Sequence, residues 1–214
     1  MTQINLAERK DRTGLKDRTG FDFIKLNYII PIIFIGVVIF ILPLSVLSAN
    51  RQGTLEFLTG RYRLDDPRFK AVYAESGPVY GLALSADLFR PVNFYLEFRY
   101  FQRHGFLTYT REKTQFHLLP LSTGLRAIIP VGILMPFIGA GADFYTYYED
   151  NPIGTVLNFT NGYHLVAGLY LQAGRLPFFF SARVKYSRAT AEEEKGRRIQ
   201  LGGLETALGF GLIF

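Results

Sequence analysis

From residue 54 onward, apolar and polar side chains alternate with a period of two residues. In the segment 178–187, Phe178 and Phe180 lie on one face, and Ser181 and Arg183 lie on the other. The same alternation recurs in residues 79–89, 93–103, 114–129, 136–149, 163–172 and 203–214, and more weakly in residues 54–63. A two-residue period is typical of a β-strand whose two faces meet different surroundings. The pattern therefore predicts eight strands.

The segments between these strands alternate in length. The long segments are residues 64–77, 105–113, 150–162 and 189–198, and the short ones are residues 90–92, 130–134 and 174–177. Long extracellular loops that alternate with short periplasmic turns are typical of a transmembrane barrel. We therefore predict an all-β fold for residues 50–214, an eight-stranded antiparallel up-and-down transmembrane β-barrel. Pro120 interrupts one strand, and we expect a bulge there or full pairing only from Leu121 onward.

Alternation alone does not say which face is inside, because a soluble barrel of the lipocalin type has an apolar lumen and a polar exterior. Three features favour the membrane form. The strands run about ten residues or more, as a membrane strand requires. Tyr and Phe gather near strand ends, as in aromatic girdles. The polar face is also rich in Gly, Ala and Ser, which suits a narrow interior.

The polar face carries charges of both signs. The predicted lumen ion-pair network consists of Glu97, Arg99, Arg126, Asp143, Arg183, Lys185 and Glu205. Glu56 and Asp87 also have the inward phase, but they lie near the periplasmic rim, where exposure to water is an equal expectation. Buried charges persist mainly when they are paired. A near balance of acids and bases therefore predicts a plugged barrel, in which Arg99 or Lys185 reaches toward Asp143 and Glu205.

The N-terminal segment differs from the rest of the chain. Residues 26–47 contain no charge, six Lys and Arg residues precede them, and Ser48 and Ala49 follow. A basic region, an apolar region and a small-residue exit together indicate a helical secretory signal peptide over residues 1–49. The alternative is a retained anchor, because about 20 apolar residues can cross a bilayer. A cleaved signal predicts export.

Composition excludes several other classes. The net charge is +6, but the basic residues form no clustered face, so we expect no nucleic-acid partner. There is no cysteine, so neither disulfides nor thiolate metal sites are possible. The three histidines, His104, His117 and His164, match no common metal-ligand spacing. We therefore predict no catalytic residue, no cofactor and no metal.

The last strand, GGLETALGFGLIF, ends in Phe214, with Leu212 and Phe210 on the same face. It resembles the carboxy-terminal strand of outer-membrane barrels, whose final aromatic residue the assembly machinery recognises. The segments LSTGLRAIIPVGILMPFIGAGADFY and GPVYGLALSADLF resemble the outer membrane protein beta-barrel domain family. That family contains small barrels similar to OmpX and to the transmembrane part of OmpA. The resemblance implies a fold, an outer-membrane location in a Gram-negative-type (diderm) bacterium, and an assembly signal at Phe214, Leu212 and Phe210.

These observations predict a non-enzymatic monomer of the cell envelope with a structural or surface-interaction role, its lumen plugged by ion pairs. Its expected partners are outer-membrane lipid, including lipopolysaccharide, and the barrel assembly machinery. One alternative is a narrow channel or transporter for small solutes. A less favoured one is a lipid-modifying enzyme, since Asp143, Glu149, Asp150, His104 and His164 fall near the predicted upper rim.

Overall fold

The computed structural model describes residues 53–214, except 74, 108–110, 153, 173, 175 and 193–197. Its strands are β1 (Gly53–Leu64), β2 (Ser76–Phe89), β3 (Val92–Phe106), β4 (Lys113–Ile128), β5 (Leu134–Asn151), β6 (Gly154–Leu171), β7 (Phe178–Glu192), β8 (Arg198–Gln200) and β9 (Gly203–Ile213). A helix, α1 (Pro67–Tyr73), lies between β1 and β2. The predicted signal peptide lies outside the described residues. No helix among the described residues is long and apolar enough to span a membrane.

Eight strands close into a barrel. Strands β1 to β7 pair antiparallel with their neighbours in sequence, β9 pairs with both β7 and β1, and the three-residue β8 pairs only with β7. At the seam, the Gly53 N–H donates to the Phe214 carbonyl at 2.8 Å, and the Phe214 N–H donates back at 2.9 Å. Closure leaves no free edge around the ring, which a lipid-embedded sheet requires. The predicted eight-stranded antiparallel barrel is confirmed.

The expected bulge at Pro120 is wrong. Strand β4 runs without interruption, and its register with β3 is the same on both sides of the proline, at Phe98–Leu121 and at Phe101–Leu118. Proline lacks a ladder donor. The pairing of β4 with β3 is interrupted only between these two residue pairs. The pairing of β4 with β5 continues through Pro120.

The predicted long loop at residues 150–162 is also wrong. Strands β5 and β6 continue beyond the expected boundary and form a hairpin that pairs as far as Asn151 and Gly154. Polar residues such as Asp150 and Asn158 break the apolar alternation, but their backbone groups still complete the ladder. Backbone pairing therefore decided this region against the side-chain pattern.

The two faces of the barrel differ as predicted. On β5, Ile138 is 65% exposed and Phe144 is 51% exposed, whereas Asp143 between them is fully buried. On β6, Tyr163 and Leu165 face outward, and His164 faces the lumen. The polar face is inside and the apolar face is outside, which is the arrangement of a lipid-facing barrel.

Candidate functional site in the barrel lumen

Glu97 is the centre of a buried ion-pair network. Alternate residues of β3 point inward, so Glu97 and Arg99 share the lumen, and the Arg99 Nε donates to Glu97 Oε1 at 2.8 Å. From β7, Arg183 Nη1 donates to Glu97 Oε2 at 2.8 Å, and Lys185 Nζ lies 3.3 Å from Oε1. One carboxylate therefore faces three cations, and all four side chains are at most 5% exposed.

Two further carboxylates extend the network. Arg99 Nη2 lies 2.6 Å from Glu205 Oε1, and Arg183 Nη2 lies 3.6 Å from Glu56 Oε2. The Ser181 hydroxyl also donates to Glu56, which is buried rather than open to water. Arg99 and Arg183 thus each join two carboxylates, and the charges of Glu56, Glu97 and Glu205 are offset by those of Arg99, Arg183 and Lys185. This arrangement offsets the cost of removing charge from water.

A second branch leads from Lys185 to a histidine. Lys185 Nζ lies 3.1 Å from Asp143 Oδ1, and it donates to Ser122 Oγ at 2.5 Å. His164 Nδ1 is 2.9 Å from the same Asp143 oxygen, and His164 Nε2 is hydrogen-bonded to the Tyr95 hydroxyl. The sequence placed Asp143 in the lumen network and His164 on the inner face, but it indicated no contact between them. The structure brings them together inside the lumen.

Arg126, which the sequence placed in the network, is separate from it. Among the described residues no carboxylate lies within ion-pair distance of its guanidinium. Its Nε donates to Asn93 Oδ1 at 2.9 Å, and its Nη1 donates to the Tyr170 hydroxyl. The reason is the register, because the ladder partners of Arg126 are Asn93 on β3 and Gly139 on β5, and neither is charged.

The end of the lumen nearest α1 is filled by aromatic side chains. Phe69 and Tyr73 of α1 are buried against rings from the barrel wall, and Phe69 lies 4.9 Å from Phe116 between ring centroids. The buried members of this upper plug are Tyr62, Leu64, Phe69, Tyr73, Val79, Phe101, Phe116, Leu118, Tyr145, Tyr147, Ala189, Ala191 and Leu201. The described lumen is therefore occupied by charged side chains at mid-height and by rings above them.

Helix α1 was missed from the sequence, although two features indicate it. Asp66 Oδ1 accepts the Phe69 N–H at 3.1 Å as an N-cap, and Pro67 follows at the first helical position. Phe69 and Tyr73 are four residues apart, so they share one face of the helix. A helix of seven residues is too short to show a periodic apolar stripe, so the side-chain pattern of this segment predicts a loop.

Tyr73 fastens α1 to the barrel wall. Its hydroxyl donates to Glu149 Oε1 at 2.8 Å and lies 2.7 Å from Thr114 Oγ1. Burial raises the pKa of Tyr73, and the adjacent Glu149 carboxylate raises it further. The phenol therefore stays protonated and able to donate well above its usual range.

The residues that the structure describes show no accessible arrangement for catalysis and no site for a metal ion. Tyr95, His164 and Asp143 form a chain of close polar contacts, but each is at most 2% exposed, so a substrate could not reach it. His104 and His117 contact other side chains, Gln102 and Tyr100 respectively. Within the described part of the chain, no group of three or more His, Asp or Glu side chains could hold a metal ion.

The residues of the predicted assembly signal lie at the seam and face outward. Phe214 and Phe210 are exposed, and Leu212 is half-buried. The Phe210 ring lies 5.9 Å from that of Phe178 and 5.4 Å from that of Phe180, between centroids. An apolar aromatic surface thus marks the end of the last strand.

Comparison with solved structures shows which proteins have a similar fold. Neisserial surface protein A has a TM-score of 0.55 at 11% identity, and the match covers 76% of this chain and 97% of that protein's chain. The fold is that of the small outer-membrane β-barrels. The N-terminal barrel domain of Pseudomonas aeruginosa OprF has this fold too, with a TM-score of 0.51 at 18% identity, 76% of this chain and 97% of that one. No family model and no curated protein matches the sequence. The predicted likeness to small outer-membrane barrels is confirmed for the fold.

Proposed function

We propose that this chain is an exported outer-membrane barrel of a diderm bacterium with a closed lumen. In this proposal it acts as a monomer in a structural or surface-interaction role. The observation that carries the proposal is the filling of the lumen at two levels. The Glu97 network crosses the middle of the barrel, and the upper plug occupies the end that holds α1.

The outer surface supports a membrane location. Its exposed apolar side chains are distributed around the ring, with examples at Phe57, Tyr80, Leu125 and Leu208. Large exposed apolar surfaces on a protein mark contact with lipid or a partner. Together with the predicted signal peptide, these exposed apolar side chains favour outer-membrane lipid, including lipopolysaccharide, as the surroundings of the barrel.

Fractionation tests this location. We expect the mature protein, without about the first 49 residues of the leader, in the outer membrane. Its unheated form should migrate as a compact band on gels, and boiling should shift that band. Full-length protein in the inner membrane would contradict the proposal and would favour a retained anchor.

Conductance in a planar bilayer separates the closed barrel from the channel alternative. Because paired charges and rings fill the lumen, we expect no discrete steps from the reconstituted full chain at neutral pH. A matched preparation of a known open porin should give steps under the same conditions. Reproducible steps that require this protein would replace the closed barrel with a narrow channel.

We propose no catalytic role. The one Asp–His–Tyr arrangement in the described lumen is enclosed, and a substrate would have to displace the surrounding ion pairs to reach it. A lipid-product assay on the reconstituted protein, with His164→Ala as the comparison, tests this. A product that forms with the parent and not with the variant would contradict the proposal.

The assembly machinery is the second proposed partner, on the basis of the resemblance of the last strand. Phe214→Ala should reduce the amount of assembled barrel in cells while the purified protein still folds in detergent. Leu208→Ala removes another exposed apolar side chain from the same strand and serves as the control. Equal assembly of the Phe214 variant and the parent would remove the assembly signal.

A further inference from the structure

A pocket opens at the end of the barrel that carries the short turns. Its volume is about 280 Å³, just below the range of typical small-molecule sites. Most of its wall is apolar, and the apolar residues include Phe89, Val92, Ile128, Met135, Phe179 and Ile213. The pocket is distinct from the Glu97 network, because none of the charged residues of that network lines it.

Arg126 supplies a buried positive charge to this pocket. The residue is only 3% exposed, yet it lines the cavity, and among the described residues it has no carboxylate partner. Its guanidinium carbon lies 5.4 Å from the ring centroid of Tyr95, 5.6 Å from that of Phe137 and 5.1 Å from that of Tyr170. Such rings hold the cation in place and stabilise it in part, but they do not neutralise its charge.

Arg126 and Tyr170 both line the cavity and keep donors that no other described residue uses. The hydrogen bonds of Arg126 to other described residues use Nε and Nη1, so Nη2 keeps its two N–H groups. The Tyr170 oxygen accepts from Arg126, so its own O–H is available to an incoming acceptor. Tyr170 and Asn93 also line the pocket. A planar anion could therefore receive hydrogen bonds from the guanidinium and from the phenol together.

Two other charged residues, Arg90 and Asp87, line the same pocket. The charges of Arg90 and Asp87 cancel, so the net charge of the residues that line the pocket is the positive charge of Arg126. Arg90 is exposed and Asp87 is half-buried, whereas Arg126 is enclosed. The selective charge is therefore that of Arg126, because an interaction in a dry site is screened less than one at the surface.

We propose that this pocket binds a small organic carboxylate with an apolar body, taken from the solvent at the short-turn end. The carboxylate meets Arg126 Nη2 and the Tyr170 hydroxyl, and the apolar body lies against the side chains of the wall. This site goes beyond the proposed function, since it requires neither the loops at the other end nor an open lumen.

The test uses 4-fluorobenzoate as a probe and fluorine NMR of the full chain refolded into lipid nanodiscs. Each sample is first checked for the compact unheated gel band, so that loss of the barrel is distinguished from loss of the site. We expect saturable broadening of the probe signal with the parent. The uncharged 4-fluorobenzamide should bind at least tenfold more weakly, because a hydrogen bond from a guanidinium to a carboxylate is stronger than one to a neutral amide.

Two variants test the assignment of residues. Arg126→Gln should weaken 4-fluorobenzoate binding about tenfold or more, whereas Arg61→Gln, on the outer face, should not change it. Met135→Trp should fill the cavity and abolish binding, whereas Ile133→Trp in the adjacent turn should leave binding unchanged. If Arg126→Gln fails to fold, these two variants still test whether the probe binds in this pocket. No saturable binding by the parent, equal binding of the amide, or full binding by Met135→Trp would overturn the proposal.

Discussion

The middle of the lumen and the upper plug fill the same barrel with different chemistry. In the middle, long charged side chains of β3 and β7 meet across the interior around Glu97. In the upper plug, rings of the barrel wall and of α1 pack together, and the Tyr73 hydroxyl donates to the Glu149 carboxylate. Truncating a ring leaves a cavity, whereas truncating one member of an ion pair leaves an uncompensated charge. The middle should therefore tolerate single changes less well.

Glu97→Ala should have the largest effect, because it removes the one carboxylate that Arg99, Arg183 and Lys185 share. We expect a loss of about 3–5 kcal/mol in the free energy of unfolding, the range for breaking a buried pair. Urea unfolding of the full chain in lipid vesicles measures it. Glu97→Gln keeps the shape of the side chain without its charge, and it should recover only a small part of the unfolding free energy lost in Glu97→Ala. A loss below about 1 kcal/mol, as for surface pairs, would mean that these charges are hydrated.

The next prediction concerns the Glu205–Arg99 pair, which is separated by 2.6 Å. Glu205→Ala should cost about 3 kcal/mol, and Arg99→Met added to it should recover part of that loss. Lys185→Met is the matched control, because Lys185 reaches Glu97 and Asp143 instead. We therefore expect its effect to be closer to additive with that of Glu205→Ala. Strict additivity of the Glu205 and Arg99 changes would remove the direct coupling.

Phe69→Ala tests the upper plug. A fully buried ring in a core costs about 3–5 kcal/mol to truncate, but α1 can detach while the barrel stays closed. We therefore expect about 2 kcal/mol, seen as faster hydrogen exchange in α1 with little change in the strands. Val72→Ala, a smaller change at a partly buried site of α1, should have a weaker effect. Equal acceleration of exchange throughout the barrel would show that α1 is part of one cooperative unit with it.

Tyr73→Phe should have the smallest effect, about 1 kcal/mol at pH 8, because it removes one donor from Glu149. The raised pKa adds a test of sign. Above about pH 10 the unfolded phenol ionises while the folded one stays protonated. The unfolding free energy of the parent therefore decreases with pH in this range, and that of the Phe variant has no such decrease. The difference in unfolding free energy should therefore shrink between pH 8 and pH 11, and a constant difference would contradict the assignment.

The errors of the sequence analysis have a common cause. Pro120 suggested a bulge and residues 150–162 suggested a loop, because both interpretations used side-chain types to infer backbone pairing. In the structure the neighbouring strands impose the register, so one missing donor or several polar residues do not end a strand. Helix α1 was missed for the converse reason, since it is stabilised by packing in the barrel mouth rather than by its own pattern.

The sequence by itself determined the number of barrel strands and which face of each strand is apolar. That information is local, because a period of two places alternate residues on opposite faces whatever the neighbours are. The same phase placed the seven charged residues of the predicted lumen network on the inner face, where the structure has all of them buried. Only the tertiary structure decided their partners: Glu205 pairs with Arg99, Asp143 pairs with His164 and Lys185, and Arg126 pairs with none of the acids that the structure describes. Those contacts depend on strand stagger and on reach across the lumen, which no single strand encodes.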